Sequence, residues 1–223
     1  MSRYATEFTK EGYIKYISHL DMMRLFKRAF KKADISLKHS QGYNPHPKIG
    51  VAQPLSLGYL STGEILEFET VESIPTNLIK HKLAEQMPSG IKILNCNLLP
   101  ETGKTLAALA DAAEYKIMIP ENKLSTAALD KIVTRFLGQD QIPVKKIQRK
   151  SGKETEINIK PMIRKLETTT IDNNIIMTTL LDSGSKSNLS PELLLTAFLT
   201  FSSIACNRED MEVMRTKIYF SKN

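Results

Sequence analysis

Hydrophobic and polar positions change period several times along the chain, and each change marks an element. Residues 3–8 alternate polar and apolar side chains, which predicts a strand; after a turn at Lys10-Glu11-Gly12 the chain is expected to stay extended from Tyr13 to Ile17. A helix is predicted over 19–34, because Met22, Phe26, Ala29, Phe30 and Ala33 recur at helical spacing. Ser18 followed by Asp21 gives it a capping-box start with Asp in place of Glu. A Gly/Pro-punctuated loop, 40–47, leads to a short strand at 49–52, and Gly63 introduces a strand at 64–70. Pro75 opens a helix ending near Met87, and 91–98 reads as a strand.

The second half repeats that order. Strands are predicted at 114–119, 144–149, 175–181 and 213–220, helices at 125–137 and 191–205, with an extra segment, 156–170, inserted between the middle strands. Strand, helix, strand, strand, helix, strand is the order of a split βαβ unit. The chain is therefore expected to be α+β, with tandem ferredoxin-like units, each an antiparallel sheet covered on one face by two helices. The units are placed at 1–104 and 112–223 with a linker near 100–111; the alternative is one larger α+β domain whose sheet runs through both halves.

Composition narrows the class. With 41 % hydrophobic and 25 % charged residues the chain has enough apolar side chain for one sizeable core or two small ones, which argues against disorder. Its apolar runs, such as Ile175 to Met177 and Leu193 to Leu195, fall far short of the roughly 18 residues of a membrane span. The first residues lack the apolar core of a secretory signal, so a cytoplasmic protein is expected. Cys96 and Cys206, 110 positions apart, are expected to be buried free thiols. They form neither a paired-cysteine metal site nor an iron–sulfur set. No cofactor and no metal is expected.

Charge is uneven. Residues 1–50 carry ten Lys and Arg against four Asp and Glu, and residues 141–170 carry eight against three, so the net charge of +7 is concentrated in two blocks. Such blocks either solvate a surface or meet a polyanion, most often nucleic acid. On the first predicted helix Arg24, Lys27, Arg28, Lys31 and Lys32 share one arc opposite the apolar stripe, a pattern suited to phosphate contacts or to an ordinary solvated face. In the loop Ser40-Gln41-Gly42-Tyr43-Asn44-Pro45-His46-Pro47-Lys48, the prolines fix their own φ and hold Asn44 and His46 extended. Asn44, His46 and Lys48 would thus be presented with little entropy left to lose. Val144 to Lys150, with Lys145, Lys146 and Arg149, followed by Lys153, reads as a basic hairpin arm or a lysine-protected edge. His19, His39 and His46 lie in one stretch with Asp21; His19 and His46 are candidates for a general base, and His81 is expected at the surface. Nucleotide-binding and hydrolase motifs are absent from the sequence.

Tyr16-Ile17-Ser18-His19-Leu20-Asp21, the helix with Arg24, Phe26, Arg28 and Ala29, the Ser40-to-Lys48 loop, and Ala52-Gln53-Pro54-Leu55 with Gly58 and Glu64 closely resemble the radical-SAM-linked family of domains of unknown function. The resemblance is strongest over residues 3–70 and continues to the end. It implies a stand-alone companion of a cobalamin-binding radical SAM protein, with motif positions at His19, Asp21, Arg24, Arg28, Asn44, Pro45, His46 and Lys48, and it brings no catalytic role for any of them. In element order alone the chain is also similar to the tandem ferredoxin-like RNA endoribonucleases of CRISPR systems.

The leading expectation is a non-catalytic RNA-binding or substrate-presenting module that partners a radical SAM enzyme, in modification of tRNA or rRNA or at the ribosome. One alternative is a metal-independent endoribonuclease with a histidine base. The other is a protein-only adaptor that docks the radical SAM enzyme.

Overall fold

The computed structural model describes residues 2–120, 124–147, 152 and 154–221. The chain is α+β, with ten strands and five α-helices among the described residues, and it divides into two compact units: Met1–Ala110 with Arg215–Asn223, and Asp111–Met214. No helix is long and apolar enough to cross a membrane.

In the first unit β1 (Ser2–Lys10) is followed by α1 (His19–Lys32), β2 (Ile49–Val51), β3 (Leu60–Thr70), α2 (Thr76–Ala84), β4 (Ile93–Leu99) and the single turn α3 (Leu106–Leu109). The strands pair antiparallel in the order β4-β1-β3-β2, which is the ferredoxin-like order. The apolar stripe of α1 seals this sheet: Phe26 meets Phe8 edge-on at 4.8 Å, and Phe30 meets Phe68 at 4.6 Å. Ile79 and Leu83 of α2 join the same core.

Two local expectations change here. Residues after β1 do not continue as a strand: Gly12 takes a φ of +57°, and Gly12–Tyr16 coils into a 3₁₀ turn. β3 starts before Gly63 rather than after it. Gly63 lies inside the strand, where a Cβ would come 2.9 Å from the carbonyl oxygen of Thr216, so the glycine serves a close backbone approach.

The second unit runs through β5 (Ala110–Pro120), α4 (Thr126–Leu137), β6 (Pro143–Ile147), β7 (Glu154–Asn158), β8 (Ile163–Ile171), β9 (Asn174–Asp182), α5 (Pro191–Ser202) and β10 (Glu212–Phe220). The last strand begins in this unit and from Arg215 belongs to the first. β9 pairs antiparallel with both β5 and β8, the order expected of the first three strands of a split βαβ unit. Phe136 of α4 packs edge-on against Phe198 and Phe201.

The strand expected at 144–149, of which 148 and 149 lie outside the described residues, is not the second strand of this sheet. Val144 to Ile147 lie in β6, which pairs with β7 as a separate two-stranded ribbon, and the segment read as an insertion supplies the sheet strand β8. Asp172 and Asn173, both at positive φ, join β8 to β9 in a two-residue turn whose twist suits a tight hairpin.

Cys96 and Cys206 form no disulfide and are half-buried rather than buried, and burial pushes the Cys96 thiol up. His81 is exposed, 3.4 Å from Glu85 one turn on.

Candidate nucleic-acid interface

The start of α1 is fixed by Ser18, whose hydroxyl accepts from the Asp21 amide at 3.1 Å and donates to the Asp21 carboxylate at 2.7 Å. Arg24 donates to the other Asp21 oxygen at 2.9 Å. Those two partners, Ser18 first, hold the Asp21 carboxyl below the usual carboxylate range. Both Arg24 and Asp21 are exposed, so water screens their pairing and the guanidinium remains within reach of a ligand. Lys27, Arg28, Lys31 and Lys32 are exposed along the same helix, and none of the four has an ion-pair partner among the described residues. The expected arc of positive charge is thus free on four of its five members.

The loop after α1 is closed at its root. His39 bridges Pro47, the Ser40 amide donates to the His46 carbonyl at 2.8 Å, and the Lys48 amide donates to the Lys38 carbonyl at 2.8 Å. At its tip Gly42 takes a φ of +136°, and Tyr43 is fully exposed beside exposed Asn44. His46 Nδ1 lies 3.0 Å from Ser40 Oγ and 3.4 Å from the Asn44 carbonyl. A carbonyl only accepts, so a proton on Nδ1 serves both contacts, and this ring nitrogen then acts as a clasp for the turn rather than as a base. Lys48 turns away from the tip, with Nζ 3.0 Å from each Glu69 oxygen, and Lys38 approaches the same carboxylate at 3.3 Å. Burial alone would raise Glu69; hydrogen bonds from Lys48 and Lys38 more than offset it.

A groove of about 390 Å³ joins the two features: Lys27 and Lys31 of α1 line it together with His39 and Pro47 at the loop root. His19 lies elsewhere, on a small cavity at the first turn of α1. No group of three His, Cys, Asp or Glu side chains converges as a metal site among the described residues.

Exposed aromatic side chains precede the cationic helix. Tyr13 is 90 % exposed and Tyr16 61 %, both presented by the 3₁₀ turn ahead of α1, and Lys15 Nζ sits 5.3 Å from the Tyr16 ring centre. Reading that turn as extended hid these tyrosines. Aromatic residues interleaved with a lysine directly ahead of a basic helix were the signal available.

The sequence reading also missed an ionic cluster beneath this surface. Arg215 is 1 % exposed, Glu64 3 % and Lys10 4 %. Arg215 Nε donates to Glu64 Oε1 at 2.8 Å, its Nη2 donates to Glu64 Oε2, and Nη2 also donates to the Gln53 carbonyl at 2.7 Å. Lys10 Nζ donates to the Ile17 carbonyl at 3.3 Å. Burial pushes the Lys10 ammonium below its usual range; Glu64 opposes that and Arg215 adds to it. The sequence signal was Arg215 itself, a charge sharing strand parity with Met211 and Val213, both of which are buried.

In the second unit Lys145 and Lys146 are exposed on β6, the expected basic ribbon. Its charge is partly offset, because Lys145 Nζ lies 3.2 Å from Glu154 and Glu156 stands opposite Lys145 in register. Arg149, Lys150 and Lys153 lie outside the described residues.

Fold and surface together define an α+β protein of paired split-βαβ units whose first unit carries a cationic helix preceded by exposed aromatic side chains. The chain belongs to the family described as "Uncharacterized protein conserved in bacteria (DUF2344)", whose profile matches residues 3–191. No curated protein matches it. Among solved structures, a Cbf5-Nop10-Gar1 complex is similar at a TM-score of 0.54 and 13 % identity, covering 99 % of this chain and 50 % of that chain. The archaeal box H/ACA sRNP Nop10-Cbf5 complex is similar at 0.49 and 12 %, covering 99 % and 49 %. The chain therefore spans about half the length of these matched chains. At such identity the first likeness is one of fold.

Proposed function

We propose that the protein is a non-catalytic RNA-binding module whose first unit holds single-stranded RNA for modification of tRNA or rRNA. The observation that carries this reading is the run of four exposed, unpaired cations, Lys27, Arg28, Lys31 and Lys32, on one helix preceded by exposed tyrosines. Cations neutralise phosphates and release counterions, while aromatic faces stack bases without regard to sequence. The fold likeness to a chain of a Cbf5-Nop10-Gar1 complex is compatible with this reading. The proposed enzyme partner, a radical SAM protein, rests on the motif resemblance over Ser18 to Asp21 and Gly42 to Lys48. In this proposal Arg24, Arg28, Lys31 and Lys32 meet phosphates, Asn44 and His46 form the rigid recognition tip, and Lys145, Lys146 and Arg149 add secondary phosphate contacts.

The test is binding to bulk tRNA and rRNA across about 50 to 200 mM salt, with an expected log–log slope near −0.7 per phosphate contact on single strands. Loss of binding at every salt concentration, with nuclease-resistant co-purification of a protein partner, would replace this reading with that of a protein adaptor.

A further inference from the structure

We propose that Lys10 forms the floor of an anion subsite in the first unit, taking one phosphoryl oxygen of the bound RNA. The proposal rests on the RNA reading for its ligand; its place rests on the buried cluster. Arg215 donates to both oxygens of Glu64, and that carboxylate acts on Lys10 through space, with no hydrogen bond between the two among the described residues. The ammonium has three N–H groups, and Ile17 O is its one acceptor among the described residues. Lys10 is 4 % exposed, so water does not complete that set. Buried charge short of acceptors is costly, and an incoming oxyanion removes the shortfall.

The cavity that Lys10 lines limits what can enter. Its volume is about 20 Å³, with Glu64, Met22 and Leu55 on its walls and His19 beside it. That is room for one water-sized oxygen and not for a whole phosphate. The ligand must therefore project a single oxygen from a larger body, as the non-bridging oxygens of a phosphodiester or the terminal oxygens of a 5′-phosphate do. The apolar part of the lining, Phe8, Met22, Val51 and Leu55, strengthens the attraction, and the positive end of α1, which begins at His19, adds to it against the Glu64 carboxylate. The subsite lies at the first turn of the helix whose exposed face carries the other phosphate contacts.

Three measurements with the full chain test the subsite: melting with added inorganic phosphate, and RNA affinity with and without a 5′-phosphate, for wild type and for Lys10→Met. Inorganic phosphate is expected to raise the melting temperature of wild type and not of Lys10→Met. The variant is expected to bind single-stranded RNA roughly tenfold more weakly, the loss worth one charge-assisted hydrogen bond, and to lose about 0.7 from its salt slope. If the tenfold loss appears only on 5′-phosphorylated RNA, the oxygen comes from a terminal phosphate; if on both, from the backbone. Leu55→Trp, which narrows the cavity and leaves Lys10 charged, is expected to reproduce the loss, so misfolding of Lys10→Met cannot mimic the result. RNA binding identical in wild type and both variants, with no phosphate-dependent melting shift, overturns the subsite and leaves the RNA reading standing. A phosphate shift confined to wild type without RNA binding overturns the RNA reading and assigns the subsite to a small phosphate. Failure of both removes both.

Discussion

Glu64 and Arg215, 151 residues apart, form a two-pronged ion pair in which neither side chain is more than 4 % exposed. A pair buried this completely is strongly asymmetric to mutation, because removing one partner strands the other. Glu64→Gln strands both Arg215 and Lys10, and is expected to cost about 3–5 kcal/mol in urea unfolding. Adding Lys10→Met to Glu64→Gln should recover part of that loss. A double-mutant cycle showing simple additivity would mean that Lys10 and Glu64 do not interact.

Lys10 also sets a pH dependence. Its folded pKa lies below the ordinary lysine value of 10.5, so between the two the unfolded chain binds more protons and stability rises with pH. The charged groups that face it are Glu64, which favours the ammonium, and Arg215, which opposes it. Lys10→Met removes this contribution, so wild type is expected to gain stability relative to the variant as pH rises toward 10.5. A constant difference across chemical unfolding curves at several pH values would contradict the assignment.

Asn173 lies at a φ of +59° in the turn between β8 and β9. Glycine meets that conformation without strain, so Asn173→Gly is expected to stabilise the protein by a few tenths to about 1 kcal/mol. Asn173→Val should destabilise it by more, since a β-branched side chain is poorly tolerated there. Thermal melting of the two variants checks the sign.

The cationic arc and the tyrosines should separate by salt. Arg28→Ala with Lys31→Ala is expected to weaken RNA binding and flatten its salt slope by about 1.4, twice the single-strand value per contact. Tyr16→Ala should weaken binding by about 1–3 kcal/mol with the slope unchanged, because stacking displaces no counterions. Equal slopes in the two variants would remove the division of labour.

Much of this was legible in the chain. Met22, Phe26, Ala29 and Phe30 predicted α1, Ser18 predicted its cap, and the repeated element order predicted the α+β class, because each signal lies within a few neighbouring residues. The failures share the opposite property. Val144 to Ile147 has a strand-like pattern, yet whether such a strand joins the main sheet depends on its partner; β6 found β7 instead. Lys48 reads as a loop cation until Glu69, 21 residues on, takes its ammonium.

The sequence by itself thus determined the helices, the strand class and the basic face of α1, since periodicity and charge arcs are properties of contiguous residues. Only the tertiary structure decided which charges remain free and which are buried. Lys10, Glu64 and Arg215 meet because strand pairing brings the two ends of the chain together, and burial removes water from their charges. That loss of solvent, which no local pattern encodes, turns three ordinary charged residues into a buried ionic cluster.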